Sequence, residues 1–250
     1  MFESKKGNYT SWRYQKKCFE RMYLNTTEEF LKRYDPHLIE EKEVLKKRII
    51  KLFDFLFPQK CEKLLDIGCG IGFYFKILKR YTNKIYATDI SELYLNRAKE
   101  NTESFNLKEI YYNLNLSNQL PFKSESFDVV FVFSVIHHME DVDESINEIH
   151  RVLKKGGRCI IIEPNIFNPA MFLFLVLKKH ERGIFHITRK KLEKKLSRKF
   201  ERIEYHPTTF QVSFTDPFSN LLIKIIDIFP KFMMYFLAIH YILIAEKNIK

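Results

Sequence analysis

The stretch Leu64-Leu65-Asp66-Ile67-Gly68-Cys69-Gly70-Ile71-Gly72 decides how this chain is read. An apolar run ends in an acid and passes at once into three glycines at alternate positions. Glycine leaves no side chain in the way, so the stretch reads as a strand turning sharply into a helix, with a ligand against bare backbone. A second acid, Asp89, closes the next apolar run. Strand ends of a parallel sheet lie side by side, which would bring Asp89 next to the glycine turn, where it can grip a ribose.

The spacing separates ligand classes. A dinucleotide fingerprint asks for glycines at its first, third and sixth positions, and the sixth position here is Phe73. A bulky aromatic where close helix packing needs no side chain argues against a nicotinamide or flavin dinucleotide. The phosphate-loop pattern fails as well, because no Gly-Lys-Ser/Thr follows. A ligand with a ribose and no phosphates remains.

At this point the residues resemble the class I S-adenosylmethionine-dependent methyltransferases. The resemblance continues through Leu120-Pro121-Phe122, Ser126-Phe127-Asp128-Val129-Val130, Ile136-His137-His138-Met139-Glu140-Asp141 and Arg151-Val152-Leu153-Lys154-Lys155-Gly156-Gly157. Order and spacing are similar to the subgroup holding ubiquinone and menaquinone biosynthesis methyltransferases and many small-molecule methyltransferases. The likeness covers about residues 60 to 165, with a weaker echo towards residue 250. It implies an α/β, Rossmann-like, doubly wound seven-stranded sheet, mostly parallel with one antiparallel strand. Its cofactor would be S-adenosyl-L-methionine. The subgroup shares its cofactor far more than its substrate, and a fold does not fix chemistry.

Composition sets the frame. At 250 residues, one α/β domain with a helical extension is the natural reading. The division expected is an N-terminal helical cap over 1–58 and a cofactor-binding methyltransferase domain over 59–250. Cys18, Cys61, Cys69 and Cys159 show no Cys-x-x-Cys and no clustered histidine partners, so neither a disulfide framework nor a metal site is expected. The opening Met1-Phe2-Glu3-Ser4-Lys5-Lys6 has no apolar run behind it and does not read as a signal peptide. A cytoplasmic protein is expected, with contact at the inner face of the membrane as an open alternative. The formal charge of +11 lies almost wholly within residues 151–206. Such a stretch attracts anionic lipid, nucleic acid or phosphorylated substrates, or is simply the solvated face of the helix Arg189-Lys190-Lys191-Leu192-Glu193-Lys194-Lys195-Leu196.

Apolar positions from Leu38 to Leu56 recur at helical spacing and predict one amphipathic helix between Pro36 and Phe57. Aromatic and charged residues before it suggest a cap over the cofactor opening. Strands are expected near 62–67, 84–88, 109–113, 127–133 and 157–163, with helices near 72–81, 91–103 and 142–154, an alternation that means a parallel sheet. Lys154-Lys155-Gly156-Gly157 reads as a helix terminus. The resemblance assigns an antiparallel edge near 200–206 and 241–245. Substrate-facing apolar insertions are expected at about 164–195 and 210–240. They read as closing a hydrophobic pocket and touching a membrane surface, or as packing a further helix on the core.

Roles follow from the resemblance. Gly68, Cys69, Gly70 and Gly72 would line the cofactor, and Asp66 would orient its amino group. Asp89 would accept hydrogen bonds from both ribose hydroxyls, with Ile90 packed on the adenine. Where the family has an acid for the adenine amino group, this chain has Asn115-Leu116, and the Asn115 carbonyl is the substitute. Ser134 would lie along the methionine end. If the acceptor carries a proton, His138, or else His137, is the base. Glu163 is a further candidate.

The function expected is methyl transfer to an O or C atom of a small, hydrophobic or lipid-linked acceptor. An RNA methyltransferase using the basic segment 178–202 is the alternative. Against it stand the missing Asn-Pro-Pro-Tyr-type and Pro-Cys motifs and the lack of a separate RNA-binding module. A non-catalytic S-adenosylmethionine-binding protein is the third reading. Oligomeric state and the acceptor stay open.

Overall fold

The computed structural model describes residues 11–25, 28, 34–209, 221, 225, 228–230 and 232–249. Three helices precede the sheet: α1 (Trp12–Asn25), α2 (His37–Glu41) and α3 (Glu43–Leu56). Then follow β1 (Cys61–Ile67), α4 (Phe75–Leu78), β2 (Thr82–Asp89), α5 (Glu92–Ser104), β3 (Ile110–Leu114) and β4 (Phe127–Phe133). A 3-10 turn (Ile136–His138) leads to α6 (Val142–Val152) and β5 (Leu153–Pro164). Next come α7 (Pro169–Leu177), a 3-10 helix (Lys179–Phe185), α8 (Arg189–Leu196), β6 (Arg202–Thr208), α9 (Met234–Leu237) and β7 (His240–Glu246).

The seven strands form one sheet in the order β3-β2-β1-β4-β5-β7-β6. All pairs are parallel except those of β7, which runs antiparallel to β5 and β6. Strand order reverses between β1 and β4, so a crevice opens beyond their carboxyl ends, where doubly wound sheets bind ligands. Residues Ile67 and Val132 are paired there, placing Gly68 and Ser134 at the rim.

Alternation along the strands builds two cores. Val129, Phe131, Ile160 and Ile162 face Ile49, Phe53, Phe75 and Leu95 on one side. Val130, Val132, Cys159 and Ile161 face Ile146, Ile149, Leu192 and Leu196 on the other. Each fully buried Leu, Ile or Phe contributes about 1.5–3 kcal/mol relative to exposure. The central strands read as near-continuous apolar runs because helices cover both faces.

Several expectations are corrected. The single helix between Pro36 and Phe57 is two, broken at Lys42, whose backbone is extended at φ −111° and ψ 90°. Ile39, Leu45, Ile49, Phe53 and Leu56 are nonetheless all buried, so the apolar stripe crosses the break. The helix expected over 72–81 shrinks to the single turn α4, because the glycine turn runs on to Tyr74 and the Arg80 and Tyr81 amides close tight turns onto the Ile77 and Leu78 carbonyls.

Lys154-Lys155-Gly156-Gly157 is no helix terminus. It lies in β5 as a bulge, since Phe127 pairs with Leu153 while Val129 pairs with Arg158. A Cβ on Gly157 would sit 2.8 Å from the Lys154 carbonyl and 3.1 Å from that of Asp128, which explains the glycine. Lys154 Nζ pairs with Asp128 Oδ1 at 2.6 Å, and Asp128 Oδ2 accepts from the Lys63 amide at 2.8 Å. Lys154 therefore ties the bottoms of β5, β4 and β1 together through Asp128.

The insertion at 164–195 resolves into α7, a 3-10 helix and α8. Asn168 caps α7 by accepting from the Met171 amide at 3.0 Å, and Pro169 occupies its first turn. The insertion expected at about 210–240 lies largely outside the described residues. Among the described residues no helix is long and apolar enough to cross a membrane.

Candidate cofactor and acceptor site

The three glycines occupy the turn for different reasons. All have positive φ, which other residues adopt only under strain. A Cβ on Gly68 would lie 2.5 Å from Val135 Cγ2, and one on Gly72 would lie 2.6 Å from Phe75 Cδ2. Gly70 alone of the three faces open space, with nothing within 4 Å. The turn is thus packed at its ends and bare at its middle. Gly70→Ala is expected to cost only about 1–2 kcal/mol, the strain of a left-handed L-residue, while weakening cofactor binding. Gly68→Ala is expected to unfold more easily than Gly70→Ala, and melting curves with cofactor calorimetry on both variants check the contrast.

Asp89 anchors this loop. Its Oδ2 accepts from the Gly70 amide at 2.9 Å and its Oδ1 from the Ser91 amide at 2.9 Å. Each oxygen keeps lone pairs for further donors. Burial pushes its carboxyl up to about 6, although the Ser91, Gly70 and Ile90 amides pull the other way. Asp66 is pushed up to about 8, by burial first and by the Asp89 charge second. The Cys69 thiol is buried and points to the Gly70 carbonyl at 3.6 Å. Ile90 is half-buried beside Asp89.

Leu114 pairs with Asp89, which brings Asn115 and Leu116 to the same rim. Asn115 Nδ2 donates to the Leu116 carbonyl at 2.9 Å, while Asn115 Oδ1 is buried without a hydrogen-bond partner. An orphaned buried acceptor is costly. An amino group arriving here would satisfy it, as the adenine of S-adenosylmethionine requires. The open cradle at Gly70, the carboxylate of Asp89 and the orphaned Asn115 carbonyl together fit that cofactor.

A second cluster is built on Glu163 at the end of β5. Ser134 has φ 53° and donates its amide to the Ile162 carbonyl at 2.7 Å, which turns the chain after β4. Glu163 Oε1 then accepts from the Val135 and Ile136 amides at 2.9 and 2.8 Å, and Oε2 takes His137 Nδ1. His137 Nε2 meets Glu181 Oε2 at 2.9 Å. Burial alone would lower the His137 pKa, but the two carboxylates overcome it and raise it to about 10. His138 takes the opposite course, lowered to about 3 by burial and by the His137 charge. Its Nδ1 is buried without a partner, and its Nε2 lies 3.6 Å from Glu181 Oε2. His137 has both nitrogens engaged, Glu163 is fully used in holding the loop, and His138 keeps an unengaged nitrogen.

Glu181 was not singled out from the sequence. It stands among Lys178, Lys179 and Arg182, and only its isolation as an acid could have flagged it. Hydrogen bonds from His137 and His180 hold its carboxyl well below the usual range against the effect of burial. Donor atoms of His137, His138 and Glu181 lie within 4.8 Å of one another, a spacing a metal ion could use. The His137 imidazolium already supplies the positive charge that the two carboxylates require.

Helix α1 covers the site. Glu20 Oε1 accepts from Ser91 Oγ at 2.8 Å, the Phe19 carbonyl accepts from the Tyr94 hydroxyl at 3.0 Å, and the Phe19 ring stands edge-on to His138 with centroids 5.0 Å apart. Of the aromatic residues expected to form a cap, Phe19 packs against Tyr94 and His138, while Tyr9 lies outside the described residues.

Comparison with known proteins agrees with this geometry. Residues 65–161 match the family model described as a methyltransferase domain. A demethylmenaquinone methyltransferase of Bacteroides fragilis is 31% identical over 136 residues, which cover 52% of this chain and 55% of that one. The chain spans about half or less of the length of the first curated relatives it matches. A solved S-adenosylmethionine-dependent methyltransferase of Thermotoga maritima superposes with a TM-score of 0.61 at 18% identity, covering 92% of this chain and 98% of that one. The N-methyltransferase NodS of Bradyrhizobium japonicum, solved with S-adenosyl-L-homocysteine, gives 0.56 at 15% identity over 81% and 86% of the two chains. These two likenesses speak for the fold. With the glycine turn, Asp89 and the later motifs, the match of residues 65–161 to a methyltransferase domain makes the chain similar to class I S-adenosylmethionine-dependent methyltransferases.

Proposed function

We propose that the protein transfers a methyl group from S-adenosyl-L-methionine to an O or C atom of a small, hydrophobic or lipid-linked acceptor. The observation that carries this reading is the open Gly70 cradle flanked by Asp89 and the unpartnered Asn115 carbonyl. Bound there, S-adenosylmethionine supplies a methyl group on an activated sulfonium. Asp89 accepts from the ribose hydroxyls, Asn115 Oδ1 from the adenine amino group, and Asp66 from the amino-acid ammonium. Ile90 and Leu116 pack on the base, and Ser134 borders the methionine end. Holding the acceptor atom in line and ~3 Å from the methyl carbon supplies much of the acceleration.

Where the acceptor loses a proton, His138 takes it through its unengaged nitrogen. Burial and the His137 charge keep this imidazole neutral and make it a weak base in the unliganded chain, and Glu181, 3.6 Å away, favours the charge that forms. His137 acts as a positioning residue, fixed as a cation between Glu163 and Glu181. Exposed Phe167, Phe172 and Phe174, in and just before α7, support an apolar acceptor met at the periphery of a membrane. Against the RNA reading, two cations of the basic segment are engaged by carboxylates, Arg189 by Glu193 and Lys195 by Asp143.

A labelled-methyl assay on lipid, small-molecule and RNA extracts tests the proposal, label in the lipid or small-molecule fraction being the expected result. Label confined to RNA, or none in any fraction despite cofactor binding, would sink it. Cofactor affinity also has a pH signature. Asp66 and Asp89 are raised in the folded chain, so both are partly protonated near neutrality. Their ionisation costs the unliganded fold stability as pH rises, and it readies both carboxylates for the ligand. Affinity by calorimetry should grow at least about fivefold between about pH 5.5 and about pH 7.5.

A further inference from the structure

We propose that the exposed face of α7, with Lys178 and Lys179 at its end and the outer ridge of α1 beside it, docks on an anionic lipid bilayer. The proposal rests on the reading of a hydrophobic, lipid-linked acceptor and names the surface from which that acceptor is taken.

Helix α7 carries no charged residue. Met171 and Leu175 are buried, while Leu173 and Leu177 are 60% and 70% exposed and Phe172 and Phe174 are exposed between them. A surface helix in water normally turns a polar face outward, so an apolar outer face marks an interaction site. The apolar surface extends beyond the helix. Asn168 Nδ2 donates to the Leu237 carbonyl at 3.0 Å and Asn165 Nδ2 to that of Tyr235 at 2.9 Å, which holds exposed Phe236 alongside.

Charge selects the occupant. The helix ends directly in Lys178 and Lys179, both exposed and, among the described residues, in no ion pair. The 3-10 helix that follows is joined to α1, where Gln15 Nε2 donates to the His180 carbonyl at 3.1 Å and the Phe19 and His180 rings meet at 5.7 Å. On the opposite side of α1, Arg13, Lys17 and Arg21 fall at successive fourth positions, all exposed, and Leu24 continues their line at 65% exposure. Leu and Phe without polar groups among them match acyl chains, and cations at their margin match anionic headgroups. The inner side of α1 touches Ser91 and His138, so the same helix that carries the cations also covers the crevice.

Sedimentation of the full chain with vesicles decides the matter. Expected is pelleting with phosphatidylglycerol/phosphatidylcholine vesicles, reduced at least tenfold with pure phosphatidylcholine or in high salt. Leu173→Glu/Leu177→Glu should lose pelleting, and Arg13→Glu/Lys17→Glu/Arg21→Glu should reduce it at least tenfold, with melting temperature and S-adenosylmethionine binding unchanged in both. No pelleting of the unaltered chain, equal pelleting with neutral vesicles, or undiminished pelleting of either variant overturns the proposal. Cofactor binding without vesicle binding defeats the docking surface and leaves the methyltransferase reading intact. Vesicle binding with no label entering any extract does the reverse.

Discussion

Asp89→Asn should weaken S-adenosylmethionine binding by about a hundredfold, because two charge-assisted hydrogen bonds to the ribose are replaced by one neutral acceptor and one misdirected donor, a loss of about 3 kcal/mol. The same carboxylate holds the Gly70 and Ser91 amides. Asparagine keeps one of those contacts, so the variant should fold and show a modest drop in melting temperature. Calorimetry against the cofactor and a melting curve separate the two effects. An unchanged dissociation constant in a folded variant would remove Asp89 from the site. Asn115→Ala serves as a milder companion, since it deletes an acceptor that the unliganded chain does not use.

Replacing Glu163 should produce the largest loss of stability. Its buried carboxylate satisfies two backbone amides and one face of the His137 imidazolium at once. Glu163→Ala strands all three and should cost about 3–5 kcal/mol, the usual effect of leaving a buried charge unpaired. Glu163→Gln keeps an acceptor for the amides and should lose less. The sign of the pH dependence is fixed by His137. Its pKa is raised in the fold to about 10, so the pair's contribution is complete below the ordinary imidazole value and fades as pH rises towards about 10. Denaturant melts of the parent and Glu163→Gln should therefore differ most near about pH 6 and converge in alkali. A constant gap across that range would mean that Glu163 does not charge the histidine.

The nucleotide half of the site is legible in sequence because its determinants are local or sit at strand ends. Gly68, Gly70 and Gly72 announce the turn, and Asp89 closes a recognisable strand. Asn115 is reached only through the family resemblance, and the register of β2 with β3 then brings it to the rim. The cluster of Glu163, His137 and Glu181 depends on contacts between distant segments. Glu181 reaches His137 across 44 positions, from a segment whose composition reads as merely basic and apolar. Both histidines look alike in sequence, yet one sits between carboxylates and the other in a dry pocket, so their proton affinities part in opposite directions. The break at Lys42 carries no glycine or proline. Lys154-Lys155-Gly156-Gly157 suits a helix terminus as well as a bulge, and only pairing with β4 distinguishes them.

The position of β7 has a consequence for synthesis. It lies between β5 and β6, yet follows both in the chain. While a ribosome is still making residues 165–239, β5 has its parallel neighbour on one side and an open, apolar edge on the other. Such an edge pairs readily with other nascent chains. Production of soluble protein should thus hinge on the arrival of residues 240–246, and slow translation or loss of holdase chaperones should divert the chain into aggregates before that strand closes the sheet.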